Sequence, residues 1–172
     1  MELFEAIRKR RSIRQFTSQT VSDDYVNKIL EAAILAPSAG NLQSCHFIVV
    51  RNKKLIENLS RAAWGQASVM SASLLIVVCC DSGHIAPYGK RGTELFMLHD
   101  TGAAIENILL ASTALGLGSV WVGAFDEVEA AELLGLNWNE FRPVAIIPIG
   151  FPAEEPSMPE RRPLNETVEY RL

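Results

Sequence analysis

Residues 94–115 are the longest stretch of this chain that reads as one helix, and their polar positions fall in clusters at 99–101, 106–107 and 112–113, about seven apart. That spacing leaves one narrow polar stripe. A helix apolar on nearly every other side has to be covered from several directions, by its own domain or by a second subunit. The chain has 172 residues, 48% of them hydrophobic. That is enough for a single domain with a substantial core, yet small enough that a partner is a serious source of the cover.

The other segments supply that domain. Residues 2–9 read as a short amphipathic helix with Leu3, Phe4 and Ile7 on one side. Ser22 is an N-cap ahead of Asp23 and Asp24, and Val26, Ile29, Leu30, Ala33 and Ile34 recur at helical spacing until Pro37. A loop of small polar residues leads into a strand at 46–50, a helix follows at 53–63, and the aliphatic run 74–80 reads as a strand covered on both faces. Residues 81–92 are expected to be an exposed loop. Gly116 and Gly118 end the long helix, "SVWVGAF" continues as a strand, Asp126 caps a helix ending near Gly135, and 144–149 form another strand. About four internal strands result. Residues 151–172 carry Pro152, Pro156, Pro159 and Pro163, which rule out a regular helix, and end in an alternation of Val168, Tyr170 and Leu172. They read as an arm that adds a strand elsewhere. The fold-level expectation is α+β, one domain over 1–172 with 151–172 as its extended arm.

Charge and composition exclude several classes. The formal net charge is -4, so a phosphate backbone would repel the whole molecule, and nucleic acid is not expected as a partner. No apolar run approaches the roughly 18 to 20 residues that cross a bilayer, and the charged N-terminal stretch is no signal peptide. A cytoplasmic protein without membrane contact is expected. Cys79 and Cys80 end an apolar run and read as buried thiols. His46, His84 and His99 show neither ligand spacing nor clear carboxylate companions, so no metal is expected.

Against that acidic background, "RKRRSIRQF" (8–16) places five basic side chains in seven positions. Part of this charge can simply complement the helix C-terminus before it. The functional reading is a phosphate cradle, with arginine forks giving bidentate charge-assisted bonds and Ser12 a further one. Arg161 and Arg162 are a second pair able to close the same site. Ser38, Asn41 and Gln43 stand on the polar loop and suit a flat heterocycle presenting donors and acceptors, and Gly123 marks either a bulge or close approach of a ligand to backbone. Protein-centred catalytic signatures are lacking: no Ser, His and Asp arrangement and no Gly-x-Gly-x-x-Gly after a strand.

Taken together, "FEAIRKRRSIRQF", "ILEAAILAPSAGNLQ", "HDTGAAIENILLASTALGLGSVWVG" and "RRPLNETV", in this order and spanning nearly the whole chain, resemble the nitroreductase family of flavin enzymes. The resemblance implies a nitroreductase-like fold: a central mixed or antiparallel sheet flanked by helices, in an intertwined homodimer with a swapped C-terminal arm and FMN at the subunit interface. Arg10, Ser12 and Arg14 match the family's flavin contacts, with Arg11 beside them and Arg14 toward the pyrimidine side of the ring. Arg161 or Arg162 matches the tail residue at the phosphate. Pro37, Ser38, Ala39 and Asn41 match the loop that the other subunit packs on the isoalloxazine, Gly123 the backbone near flavin N5, and Gln66 a polar contact to the ring. Cys45 and Ser73 depart from the family pattern, where an aromatic residue and a proline are common.

The implied activity is an FMN-dependent NAD(P)H oxidoreductase that reduces nitroaromatic, quinone or flavin-type small-molecule acceptors by a ping-pong mechanism, with NADH or NADPH as reductant. The chemistry belongs to flavin N5, and no side-chain acid or base is assigned. The alternatives are a specialised branch of the same fold (dehalogenating, flavin-fragmenting or azoline-oxidising) and a non-catalytic FMN- or anion-binding protein.

Overall fold

The computed structural model describes residues 1–171; Leu172, the last position of the tail alternation, lies outside them. In chain order the elements are α1 (Leu3–Lys9), α2 (Asp23–Ile34), a 3-10 turn (Ala39–Asn41), β1 (Cys45–Val50), α3 (Lys53–Ala62), α4 (Ala67–Ser71), β2 (Leu74–Asp81), the short turns α5 (Ser82–Ile85) and α6 (Gly89–Arg91), a π-helical turn (Gly92–Phe96), α7 (Met97–Ala114), β3 (Gly118–Ser119), α8 (Glu127–Leu133), β4 (Phe141–Gly150) and α9 (Leu164–Thr167). The four strands form one antiparallel sheet in the order β1-β2-β4-β3. This is an α+β architecture.

The aliphatic run of β2 explains the layering. Leu74, Ile76 and Val78 point into the cluster built with Ile29 of α2 and Ile105, Ile108 and Leu109 of α7. Their neighbours Leu75, Val77 and Cys79 join Ile56 and Leu59 of α3, Ala130 of α8 and Phe125 just before it. Alternate residues of a strand face opposite sides, so a strand between two helical layers has no reason to alternate in polarity. β4 repeats the division, with Ala145, Ile147 and Ile149 on the first side and Ile146 on the second. Its Pro143 pairs with Cys79 at a register shift, where a residue without an N–H disturbs the ladder least.

Caps fall where side-chain chemistry places them. Ser22 accepts from the Tyr25 amide, Asn52 from Leu55, and Asp126 from Val128 and Glu129. The C-terminus of α3 is less usual. Trp64 N–H bonds Arg61 O and Gly65 N–H bonds Ser60 O, both at 2.8 Å, the pattern in which the first residue past the helix is left-handed and normally glycine. Here that residue is Trp64, at φ 54 and 70% exposed. A bulky residue in that region costs roughly 1 kcal/mol, and little burial offsets it. Trp64→Gly is expected to raise stability by about 0.5–1 kcal/mol, read as a higher urea midpoint at unchanged slope.

Four expectations are corrected. Residues 81–92 are exposed at most positions, as expected, but after Asp81, which ends β2, they are short helical turns and not a loop; Ile85 and Gly92 are buried there, and Ile85 packs with Cys80 and Met97. The polar clusters of the long helix form its open side only in part. Asp100, Thr101 and Ser112 are buried, Thr101 and Ser112 returning their hydroxyls to the Met97 and Ile108 carbonyls at 2.7 and 2.8 Å. Its exposed positions are His99 and Glu106 from those clusters, with the apolar Leu98 and Ala114. His84 does have a carboxylate companion: Nδ1 lies 2.7 Å from Asp81 Oδ2, while Asp81 Oδ1 accepts the His84 amide and caps α5. "SVWVGAF" is not a continuous strand: it pairs at Ser119, with Ile149 and Ser12, and at a bridge of Val122 to Ile146.

Candidate functional site

The segment after α1 is held on both sides by backbone. Ser12 bridges Ser119 in parallel, with Ile13 N–H on Ser119 O at 3.0 Å; Phe16 bridges Pro152, and Ala153 N–H reaches Gln15 O at 2.9 Å. Gly118 makes the first contact possible, because a Cβ there would lie 2.7 Å from Ile13 Cγ2. Glu154 then accepts the amides of Arg14 and Gln15. The start of the tail is thus locked to the basic segment, and the chain from Pro156 onward is delivered across it.

Between them lies a cavity of about 320 Å³, lined by Arg10, Arg11, Ser12, Arg14, Pro156, Ser157, Pro159 and Arg161. No carboxylate lines it. A larger hollow of about 700 Å³ next to it is lined by Glu154 and Glu155 as well as Lys9 and Arg11, the wrong balance for an anion. Within the smaller cavity the arginines are not equivalent. Arg11 Nη1 donates to the Arg8 and Arg10 carbonyls at 2.8 and 2.7 Å, completing the end of α1. Arg10 is steadied by Glu106 of α7, 3.6 Å from its Nε, and Arg14 Nη1 reaches only Ser12 O, at a long 3.4 Å. Arg161 lines the cavity. Arg162 does not: its guanidinium lies on Glu166, 2.9 Å from the backbone oxygen.

A second cluster sits at the N-terminal half of α7. Pro37, Ser38 and Gln43 line a small cavity of about 160 Å³ with Cys45 and Asp100. Within the loop Gln43 N–H bonds Ser38 Oγ at 2.9 Å, and Gln43 Nε2 contacts Asn41 O at 3.4 Å. Gly40, Asn41 and Gln43 all have left-handed backbone, at φ 58, 55 and 53. At Gly40 a Cβ would also lie 2.6 Å from the Tyr88 hydroxyl, so a side chain there would push that ring aside. Ala39 packs with Leu42, Ile85, Phe96 and Met97. Residues 82–96 therefore buttress the loop from behind.

A third group joins Gln66 to the strand after β3. Gln66 Nε2 donates to Ala124 O at 2.8 Å, beside Gly123. Gly123 is exposed, and a Cβ there would meet nothing nearer than the Trp121 Nε1 at 3.7 Å, so its backbone is open to approach. Gly123 lies four residues beyond Ser119, a span of at most about 13 Å. Within one chain the arginine cavity and the loop of residues 37–43 share no lining residue.

Thiol chemistry has no foothold. Burial pushes Cys45 and Cys79 up to about 12 and Cys80 to about 11, so all stay protonated near neutrality. Among the described residues no three His, Cys, Asp or Glu side chains gather as a metal would need, and no helix is long and apolar enough to cross a membrane.

The nitroreductase family profile matches residues 7–81 and 71–151. This chain belongs to the nitroreductase family. A family relative from Methanothermobacter thermautotrophicus, assigned as an NADH dehydrogenase/NAD(P)H nitroreductase, is 40% identical over 159 residues, covering 91% of this chain and 80% of its own. Among nitroreductase-fold structures, a protein from Desulfovibrio desulfuricans assigned as a nitroreductase, solved with FMN, superposes with a TM-score of 0.88 at 36% identity, over 100% of this chain and 98% of its own. The NADPH:FMN oxidoreductase of Vibrio harveyi with NAD+ gives 0.90 at 29% identity, over 99% and 77%.

One residue of this nitroreductase-family chain escaped sequence reasoning: Asp100, 4% exposed, which accepts from Ala39 N–H at 2.9 Å and from the Ser44 hydroxyl at 3.0 Å. The available signal was an acid in the midst of an apolar helix, which needs buried donors to be tolerated.

Proposed function

We propose that this chain is the protomer of an FMN-dependent NAD(P)H oxidoreductase. The observation that carries the reading is the cavity of Arg10, Ser12, Arg14 and Arg161, rich in guanidinium and hydroxyl donors and free of carboxylate. Such a donor set fits the dianionic phosphate of FMN, and Arg10, fixed through its Nε by Glu106, keeps its terminal nitrogens for that purpose. Arg11 serves mainly to close α1. The open backbone at Gly123, with Gln66 beside it, supports placing the ring there; backbone N–H groups would orient its edge.

Hydride acceptance from NADH or NADPH, followed by electron delivery to a nitroaromatic, quinone or flavin-type acceptor, is the chemistry FMN supplies when bound. The chain's own part is to anchor, orient and exclude water, and the two partners use one pocket in turn. Pro37, Ser38, Ala39, Asn41 and Gln43 come from the other protomer in this reading.

Supporting a homodimer are the apolar residues that the chain leaves uncovered: Leu3, Phe4 and Ile7 of α1, Ile34 and Leu35 after α2, and Leu98 of α7. A groove of about 380 Å³ runs between them, lined by Leu3, Leu35, Leu110 and Ala114 among others. β1 is an edge strand with one row of open backbone groups. Among its described residues the tail has no strand of its own, and Tyr170 is 84% exposed. A swapped arm that adds residues 167–172 to a partner's sheet suits both facts. Both core clusters share one sheet, which supports one domain over 1–172, and three unpaired cysteines suit the cytoplasm.

The test is direct. Purified protein given FMN should turn yellow and run as a dimer, and anaerobic NADH or NADPH should bleach the visible flavin band, which a quinone then restores. A colourless monomer that takes up no FMN would overturn the reading.

A further inference from the structure

The buried Asp100 has no part in the arginine cavity, yet it holds the loop of residues 38–43 at both ends. Its Oδ1 accepts from Ala39 N–H at 2.9 Å, and its Oδ2 accepts from Ser44 Oγ at 3.0 Å. Ser44 is fully buried, and its carbonyl accepts from Asp81 N–H at 2.7 Å, so that end is tied to β2 as well. No Lys, Arg or His lies within ion-pair distance of Asp100 among the described residues. A carboxylate kept this far from water, with hydrogen-bond donors in place of a cation, is costly unless those donors are held in position.

The span between the tethers gathers left-handed backbone within four residues. Gly40, Asn41 and Gln43 all lie in the left-handed region, and two of these three carry a Cβ. Such conformations persist only where the surroundings over-determine them. The internal bonds of the loop, Asn41 N–H to Ser38 O at 2.9 Å and Gln43 N–H to Ser38 Oγ at 2.9 Å, close the turn but do not fix it to the rest of the fold. Asp100 supplies that attachment, with the packing of Ala39 and Leu42 on Phe96 and Met97 behind it.

We infer that Asp100 is the positioning residue of the flavin-facing loop: it clamps Ala39 and Ser44 so that Ser38, Ala39 and Asn41 meet the flavin ring in one fixed shape. The role rests on the proposed flavin reading, while the clamp itself does not. Asp100 touches neither cofactor nor substrate. Its effect passes through the loop, and because the loop is assigned to the other protomer's flavin, each Asp100 serves the site across the interface.

Three variants test the clamp. Asp100→Ala removes both tethers, Ser44→Ala removes one, and Asp100→Asn keeps an acceptor for Ala39 while the Ser44 hydroxyl can turn to accept from the new amide. Hydrogen exchange of the flavin-free protein reads the clamp alone: the Ala39 amide should exchange at least about tenfold faster in Asp100→Ala, as expected for loss of a hydrogen bond to a charged group. With FMN and NADH, Asp100→Ala and Ser44→Ala should shift the visible band of bound FMN toward that of free FMN and raise KM for a quinone severalfold. Asp100→Asn should stay near the parent in both. Should Asp100→Ala misfold, Ser44→Ala and Asp100→Asn carry the comparison.

Unchanged exchange at Ala39, or an Asp100→Asn as damaged as Asp100→Ala, would overturn the clamp. Faster exchange with an unmoved flavin band and KM would overturn its role toward the ring. Failure of the parent protein to take up FMN would overturn the functional reading and leave the exchange result standing.

Discussion

Replacing Arg10 and Arg14 together by alanine is expected to strip the protein of FMN while leaving it folded. Neither side chain belongs to the core; Arg14 is exposed, and Arg10 keeps 23% of its side-chain surface. Each guanidinium in the carboxylate-free cavity would form charge-assisted bonds to phosphate, worth about 1.5–3 kcal/mol apiece, so losing both should weaken binding by roughly two to four orders of magnitude. Titration of flavin fluorescence at fixed salt measures it, and a change below about threefold would mean that the phosphate is held elsewhere. Arg161→Ala should weaken binding about tenfold or more. Arg162→Ala should leave it nearly untouched, because that guanidinium is already engaged by Glu166.

Ending the chain after Glu155 should have the second largest effect, again without unfolding the domain. None of the described residues 156–171 is buried, so the sheet and both core clusters lose nothing from their interiors. Glu154 remains to accept the amides of Arg14 and Gln15. What disappears is Arg161, together with the Pro156 and Pro159 walls of the arginine cavity, and the arm proposed to reach the neighbour. The shortened protein is expected to sediment as a monomer and to bind FMN about a hundredfold more weakly, with a far-ultraviolet circular dichroism spectrum close to that of the full chain. A dimer of undiminished affinity would show that the tail is a passenger.

Much of this was legible before any coordinates, and the reasons are physical. The caps Ser22 and Asp126 are local chemistry, readable from a residue and its next three neighbours. The doubly covered strand at 74–81 declares itself through lack of alternation. The basic segment stood out against an acidic whole, and the structure brings Arg10, Ser12, Arg14 and Arg161 to one cavity. Other features depend on distant partners and left no local trace. Residues 81–92 hold Gly, His and Pro, and looked like a loop because their order comes from packing of Ile85 with Cys80 and Met97 and of Tyr88 against Gly40. The hydroxyls of Thr101 and Ser112 looked like a wet stripe because a sequence does not show that they turn back on their own helix. Arg161 and Arg162 were inseparable by spacing, and only the course of the tail tells them apart.

The two acidic residues of α7 have a joint consequence. Asp100 ties down the loop and Glu106 steadies Arg10, six residues apart on one rigid helix, which is about 9 Å along its axis. The helix thus works as a gauge block between two parts of the machinery. One residue inserted between them would turn the far anchor by about 100° and lift it by about 1.5 Å, undoing both alignments at once.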